Sequence, residues 1–258
     1  MPVTIDSVDD VRVGDYVGLK QLRRESAEYF IVESVTAIER LVDSPYPIRS
    51  MLLTHAAHDR LAPRLGAIDA PIYVASPDVL NAIAGFNLHR GALASAARVS
   101  GPSLAAVLAT ARRIVVLEGS NDHENIGAIA RSARGLGIDA LVLDPTCADP
   151  LYRRSVRVSM GEILHLPVVR CEHWPAALAQ MQAAGFETWA LTPTGTDDLL
   201  STPPPARLAL VAGAEGPGLS EVAKAACTRR VAIALRAGVD SLNLGHALAI
   251  AMAVTCPR

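Results

Sequence analysis

From Arg113 onward the chain repeats one pattern: a short, almost purely apolar run, then a segment with helical spacing. RIVVLEG, ALVLD, LPVVR, TWALT, RLALVAG and RVAIAL read as strands. Between and around them lie helices from about Asn125 to Gly137, through YRRSVRVSM, in WPAALAQMQAAG and in LSEVAKAA, and the chain closes on the apolar stretch AGVDSLNLGHALAIAMAVT. Strands without polar alternation are buried on both faces, and strand-helix alternation demands parallel crossovers. This segment is therefore constrained to a doubly wound, parallel-sheet α/β domain. Ligands of such sheets bind outside the carboxyl ends of the strands, so the polar residues at strand exits are the first candidates for function.

Residues 29 to 98 form a second, smaller α/β unit by the same reasoning, with YFIVESV, IRSMLLTH, IYVAS and GALASAA as β-rich runs and TAIERLVDS and PDVLNAIAGF as helices. Ser100, Gly101 and Pro102 punctuate the chain before a short helix, which sets the expected domains at 1–102 and 103–258. STPPPA at 201–206 reads as a stiff surface loop. A formal charge of -2 excludes a globally basic nucleic-acid binder and makes any such contact regional. Cys147, Cys171, Cys227 and Cys256 have no metal-ligand spacing and are read as reduced core thiols, with no metal expected. No apolar run approaches a membrane span and no leader pattern opens the chain, so a cytoplasmic protein without membrane association is expected.

Three strand exits carry polar groups. In NDHENIGAIARSARGLG, Asn125 can cap a helix that carries Arg131 and Arg134. In LALVAGAEGPGLSE a strand runs into Gly213, Glu215, Gly216 and Gly218, where glycines allow close backbone approach to a ligand. The spacing matches neither a phosphate-binding Walker loop nor a GxGxxG dinucleotide fingerprint, which removes the main support for a nucleotidase or a dehydrogenase. In the closing stretch, Ser241 is the simplest helix cap, which leaves Asn243 and His246 at the mouth of an apolar helix that reads as buried from Ala247 to Val254. Buried amides must be satisfied. Three such exits in one domain point to one ligand site.

The order N-x-G-x-x-x-R, then G-A-E-G-x-G-L, then G-x-x-S-L-N before an alanine-rich helix resembles the three motifs of the SpoU (TrmH-like) family of SPOUT RNA 2′-O-ribose methyltransferases, across residues 113–258. The N-terminal part more loosely resembles the L30e-like substrate-binding domain that precedes such catalytic domains. The resemblance implies a deep C-terminal trefoil knot, a homodimer, an RNA substrate and S-adenosylmethionine as cofactor. It implies catalytic roles for Asn125, Arg131, Glu215, Ser241 and Asn243. Cofactor contacts are implied at Leu191, Thr192, Gly213, Glu215, Gly216, Ile233, Leu235, Ser241 and Leu242. Ala234, Ala130 and the pair Asp122-His123 depart from the proline, the aromatic residue and the Asp-Pro usual at those places, which bears on loop stiffness and substrate more than on class.

Within that resemblance Arg131 is the catalytic arginine. A literal general-base role would cost an arginine roughly 7 kcal/mol in deprotonation, so a charged guanidinium that grips phosphate and stabilises a developing alkoxide is the better reading. Asn125 would orient Arg131 or the ribose. Arg131, Arg134, Arg153, Arg154 and Arg157, with Tyr152 beside them, form the expected RNA contact, interrupted by Asp139, Asp144 and Asp149. Lys20, Arg23 and Arg24 form a second basic cluster, and His89 and Arg90 are further candidates in the first domain. The L30e-like domain favours ribosomal over transfer RNA. A non-catalytic RNA-binding protein of the same architecture is the competing expectation.

Overall fold

The computed structural model describes residues 2–19, 27–66, 68–88 and 91–256. It divides into two compact units, one built from residues up to Ser100 plus Leu151–His165, the other from Gly101–Pro150 and Leu166 onward. Lys20, Arg23, Arg24, His89 and Arg90 lie outside the described residues.

The first unit holds strands β1 (Val3–Ile5), β2 (Tyr29–Glu33), β3 (Ile48–Leu53), β4 (Ile72–Ala75) and β5 (Ala92–Ala97) in the order β1-β4-β3-β5-β2. β1, β4 and β3 run parallel, and β5 pairs antiparallel with both β3 and β2. Helices α1 (Val35–Val42), α2 (His55–Leu65) and α3 (Pro77–Ala84) each begin on a hydroxyl cap, Ser34, Thr54 and Ser76, whose oxygen accepts a backbone N–H of the first turn. β1, the 3-10 helix Val11–Tyr16 and α2 have no counterpart in the sequence reading. For α2 the reason is composition, since HAAHDRLAPRL is polar, contains Pro63 and buries only Ala57 and Leu61.

The second unit contains α4 (Leu104–Thr110), β6 (Arg113–Glu118), α5 (His123–Gly135), β7 (Ala140–Leu143), β8 (Val168–Arg170), α7 (Ala177–Ala183), β9 (Glu187–Leu191), β10 (Asp197–Asp198), β11 (Leu208–Gly213), α8 (Glu221–Ala226), β12 (Arg229–Ala232) and α9 (Leu244–Thr255). Its seven strands lie in the order β10-β12-β9-β11-β6-β7-β8, and every paired neighbour is parallel. Val116, Val142, Val211, Ala190 and Met181 belong to its continuous apolar core. The strand order places the exits of β12, β9, β11 and β6 side by side, so loops far apart in sequence share one edge of the sheet. Helix α6 (Arg153–Val158) and the 3-10 turn Glu162–His165 interrupt this unit in sequence and pack in the first, although they fall within the expected 103–258 domain. There Arg153 bonds Glu33 at 2.7 Å, and Arg40 pairs with Glu162 at 2.8 Å.

Three local expectations are corrected. Asn125 does not cap α5: Asp122 does, its carboxylate accepting from the Glu124 N–H at 2.8 Å, and the helix starts two residues earlier than expected. Ser241 does not cap α9: Asn243 does, its Oδ1 accepting from the His246 N–H at 3.1 Å. Nor is α9 buried all round, because Ile250 and Val254 are 38% and 37% exposed. No helix among the described residues is long and apolar enough to cross a membrane.

Candidate active site

A cavity of about 520 Å³ opens beside the carboxyl ends of β9 and β11, walled by the loops that follow β9, β11 and β12 and by the first turn of α9. That volume lies within the ~300–1,000 Å³ usual for small-molecule sites. Leu191, Thr192, Gly213, Glu215, Gly216, Ile233, Leu235, Ser241 and Leu242 all line it. Close approach of the chain dictates glycine at 213. A Cβ there would stand 2.1 Å from the Gly218 carbonyl carbon and 2.2 Å from the Leu219 nitrogen, because the 214–218 turn folds back on itself through the Gly218 N–H to Ala214 O bond. Gly216, at φ +87°, has nothing within 4 Å of its missing Cβ and is required for backbone conformation instead.

One amide ties three elements together at the cavity mouth. Asn243 spends its Oδ1 on the α9 cap, while its Nδ2 donates to Asn125 Oδ1 at 3.0 Å and to Glu215 Oε1 at 2.5 Å. The same Glu215 oxygen accepts the Leu244 N–H at 3.2 Å, which sets a carboxylate on the positive end of the α9 dipole. Asn125, in the first turn of α5, is buried at 6% exposure. With its oxygen committed to Asn243, the group it retains for a ligand is its Nδ2, which makes no hydrogen bond among the described residues. The site thus presents a donor from Asn125 and a fixed acid from Glu215 within one bonded cluster.

Arg131 and Ser241 do not join this cluster. Both are exposed, and neither side chain makes a hydrogen bond or ion pair among the described residues. Asn125 and Arg131 stand six residues apart, about 120° apart around α5, so one turns inward to Asn243 and the other outward. Of the two roles expected for Asn125, orienting Arg131 or orienting the ribose, the first has no side-chain contact among the described residues, where Asn125 is bonded to Asn243. Arg134 shares the exposed face with Arg131. Of the other expected RNA contacts, Arg153 is committed to Glu33 and stacks over Phe86 at 4.5 Å, and Arg157 lies 3.6 Å from Glu33. Arg154 is exposed in the same helix of the first unit.

Two residues that the sequence did not single out also shape the site. Glu118, the acid that ends β6, accepts from Trp174 Nε1, Ser220 N and Ser220 Oγ, each at 2.7 Å, and so fastens the far end of the glycine loop. A lone carboxylate at the end of an apolar strand was the available signal. Lys224 lines the cavity from α8, and nothing in its neighbourhood of sequence marks it. Burial pushes the Cys147 thiol up to about 12 and those of Cys171 and Cys227 up to about 11, and all four cysteines are free thiols. Among the described residues no group of His, Cys, Asp and Glu is arranged to hold a metal.

Fold and cavity define a parallel-sheet α/β protein with a cavity of small-molecule size walled by strand-exit loops. The model of the SpoU rRNA methylase family matches residues 112–253. An uncharacterized tRNA/rRNA methyltransferase of Mycobacterium tuberculosis is 41% identical over 252 residues, covering 94% of this chain and 88% of the relative. The chain belongs to the SpoU rRNA methylase family, a family of RNA methyltransferases. The 23S rRNA (guanosine(2553)-2′-O)-methyltransferase RlmP of Bacillus subtilis is 24% identical, with 95% and 96% of the two chains covered. The SpoU methyltransferase AviRb of Streptomyces viridochromogenes, solved in complex with AdoMet, superposes with a TM-score of 0.82 at 23% identity, covering 95% of this chain and 97% of that one.

Proposed function

We propose that this protein transfers the methyl group of S-adenosylmethionine to a ribose 2′-hydroxyl of RNA, with ribosomal RNA as the substrate class. The observation that carries the reading is the Asn125–Asn243–Glu215 cluster, a bonded set of polar groups at the mouth of a glycine-walled cavity. The AdoMet complex of AviRb and the 2′-O activity in the name of RlmP support it.

The cavity residues fit the cofactor. Leu191, Ile233, Leu235 and Leu242 supply apolar surface for an adenine ring, and the glycine loop lets backbone groups approach closely. When bound, S-adenosylmethionine supplies an electrophilic methyl on a sulfonium. The protein's part is to align the ribose oxygen and stabilise charge as it develops there. Asn125 Nδ2 is the donor for that oxygen, held in place by the bond from Asn243. Ser241 adds a hydroxyl on the cavity wall. Arg131, whose side chain has no partner among the described residues, grips the phosphate beside the target ribose through its guanidinium, and Arg134 extends the same face.

The proposal extends to architecture. The first unit is an L30e-like RNA-binding domain, and the loops that wall the cavity are those of a trefoil knot. A homodimer forms through α9, whose Ile250 and Val254 leave an apolar stripe at the surface. Methyl transfer from labelled cofactor to separated, unmodified ribosomal and transfer RNA pools tests the function. Incorporation into ribosomal RNA that vanishes in Arg131→Ala is expected; incorporation into transfer RNA alone moves the substrate class, and cofactor binding without transfer to any RNA sinks the enzymatic reading.

A further inference from the structure

Among the described residues two charged ones line the cavity, Glu215 and Lys224. They stand on different walls. Glu215 is fixed to Asn243 and the Leu244 N–H at the head of α9, whereas Lys224 projects from α8 and also borders a shallow polar groove with Glu187, Thr228 and Arg229. The lysine side chain is 15% exposed, unusually low for this residue type. Its ammonium bonds Glu221 Oε1 at 2.8 Å, but that glutamate side chain is 80% exposed. An ordinary helix-surface pair at i,i+3 leaves both partners in water. Here the lysine side chain is largely covered where it borders the cavity, while its counter-ion stands in solvent. One screened carboxylate satisfies one of three ammonium donors, which leaves the lysine with capacity for a second acceptor.

If the cavity holds S-adenosylmethionine, as proposed above, that molecule has a single anionic group, the carboxylate of its methionine moiety. We propose that Lys224 binds this carboxylate and makes the site selective for cofactors that carry one. The fixed acid Glu215 then faces the cationic groups of the ligand, its sulfonium and ammonium. Lys224 is on this account a binding residue, with no part in the bond-making step.

The test is calorimetric binding of S-adenosylmethionine and of its decarboxylated analogue to the wild type, Lys224→Gln and Lys224→Arg. The wild type is expected to prefer the carboxylated ligand about tenfold, the loss of one charge-assisted hydrogen bond. Lys224→Gln should weaken S-adenosylmethionine by that factor and leave the analogue untouched, so that the preference disappears; Lys224→Arg should keep it. Equal weakening of both ligands in Lys224→Gln would assign the lysine to the adenosine moiety or to the fold, and overturn the proposal. So would equal binding of the two ligands by the wild type, a comparison that needs no variant to fold. Binding of neither ligand to the wild type overturns the cofactor reading itself, and this proposal with it.

Discussion

Asn243 does two jobs that substitution can separate. Asn243→Ala removes the α9 cap, worth about 1 kcal/mol. It also strips the buried Asn125 Oδ1 of its donor, which costs about 1–3 kcal/mol for an unsatisfied buried acceptor. The sum of about 2–4 kcal/mol corresponds to a fall of about 5–10 °C in the midpoint of a domain this size. Asn243→Ser keeps an oxygen able to cap the helix but cannot reach Asn125 and Glu215 with an amide. It should recover about 1 kcal/mol of the stability and none of the methyl transfer. Differential scanning calorimetry of the three proteins, paired with transfer assays, reads both quantities. Wild-type transfer in Asn243→Ser would refute the view that the amide organises the site, and a midpoint unchanged in Asn243→Ala would refute the burial argument.

Gly213→Ala pushes a Cβ into the Gly218 backbone, so it should abolish cofactor binding and destabilise by about 1–3 kcal/mol, whereas Gly216→Ala meets no atoms and carries only the cost of a positive φ; calorimetric titration compares them. Arg131→Ala should bind cofactor as the wild type does and lose transfer, and Arg131→Lys should keep only a small part of it, because an ammonium lacks the bidentate fork; single-turnover rates decide. Val254→Glu should leave a monomer in sedimentation equilibrium if the exposed face of α9 is an interface. The buried thiols give a pH signature. Their pKa values are raised above the ordinary 9.0 of a cysteine, to about 12 for Cys147 and about 11 for Cys171, so the folded state favours the neutral form. The stability this contributes is full below pH 9 and is lost as pH rises toward 11 to 12. Alkylation followed by mass spectrometry at pH 8 should find both residues protected in the native protein and reactive once it unfolds.

The parallel sheet was legible because its strands are apolar on both faces, and the candidate site was proposed from polar residues at three of its exits, of which those after β11 and before α9 line one cavity. What the sequence hid has physical causes. A cap is won by local geometry: Asp122 outcompetes Asn125, and Asn243 outcompetes Ser241, in stretches where either residue type is competent. The bond from Asn243 to Asn125 joins positions 118 apart, and no periodicity reports such a contact. Residues 151–165 continue the strand-helix rhythm of the second unit yet pack in the first, where Glu33 receives Arg153. Lys224 looks like any solvated helix lysine until its 15% exposure is set beside the 80% of its partner. Helix α2 escaped because only two of its eleven residues are buried.

The most direct test of the central claim is where the methyl group lands. RNA methylated by the wild-type protein with labelled cofactor can be hydrolysed in alkali, a cleavage that requires a free 2′-hydroxyl at each step. Transfer to ribose predicts that the label survives in alkali-resistant dinucleotides, identified by mass spectrometry as carrying a 2′-O-methylnucleoside, and that it is absent with Arg131→Ala. Label released wholly as mononucleotides methylated on the base would contradict the account.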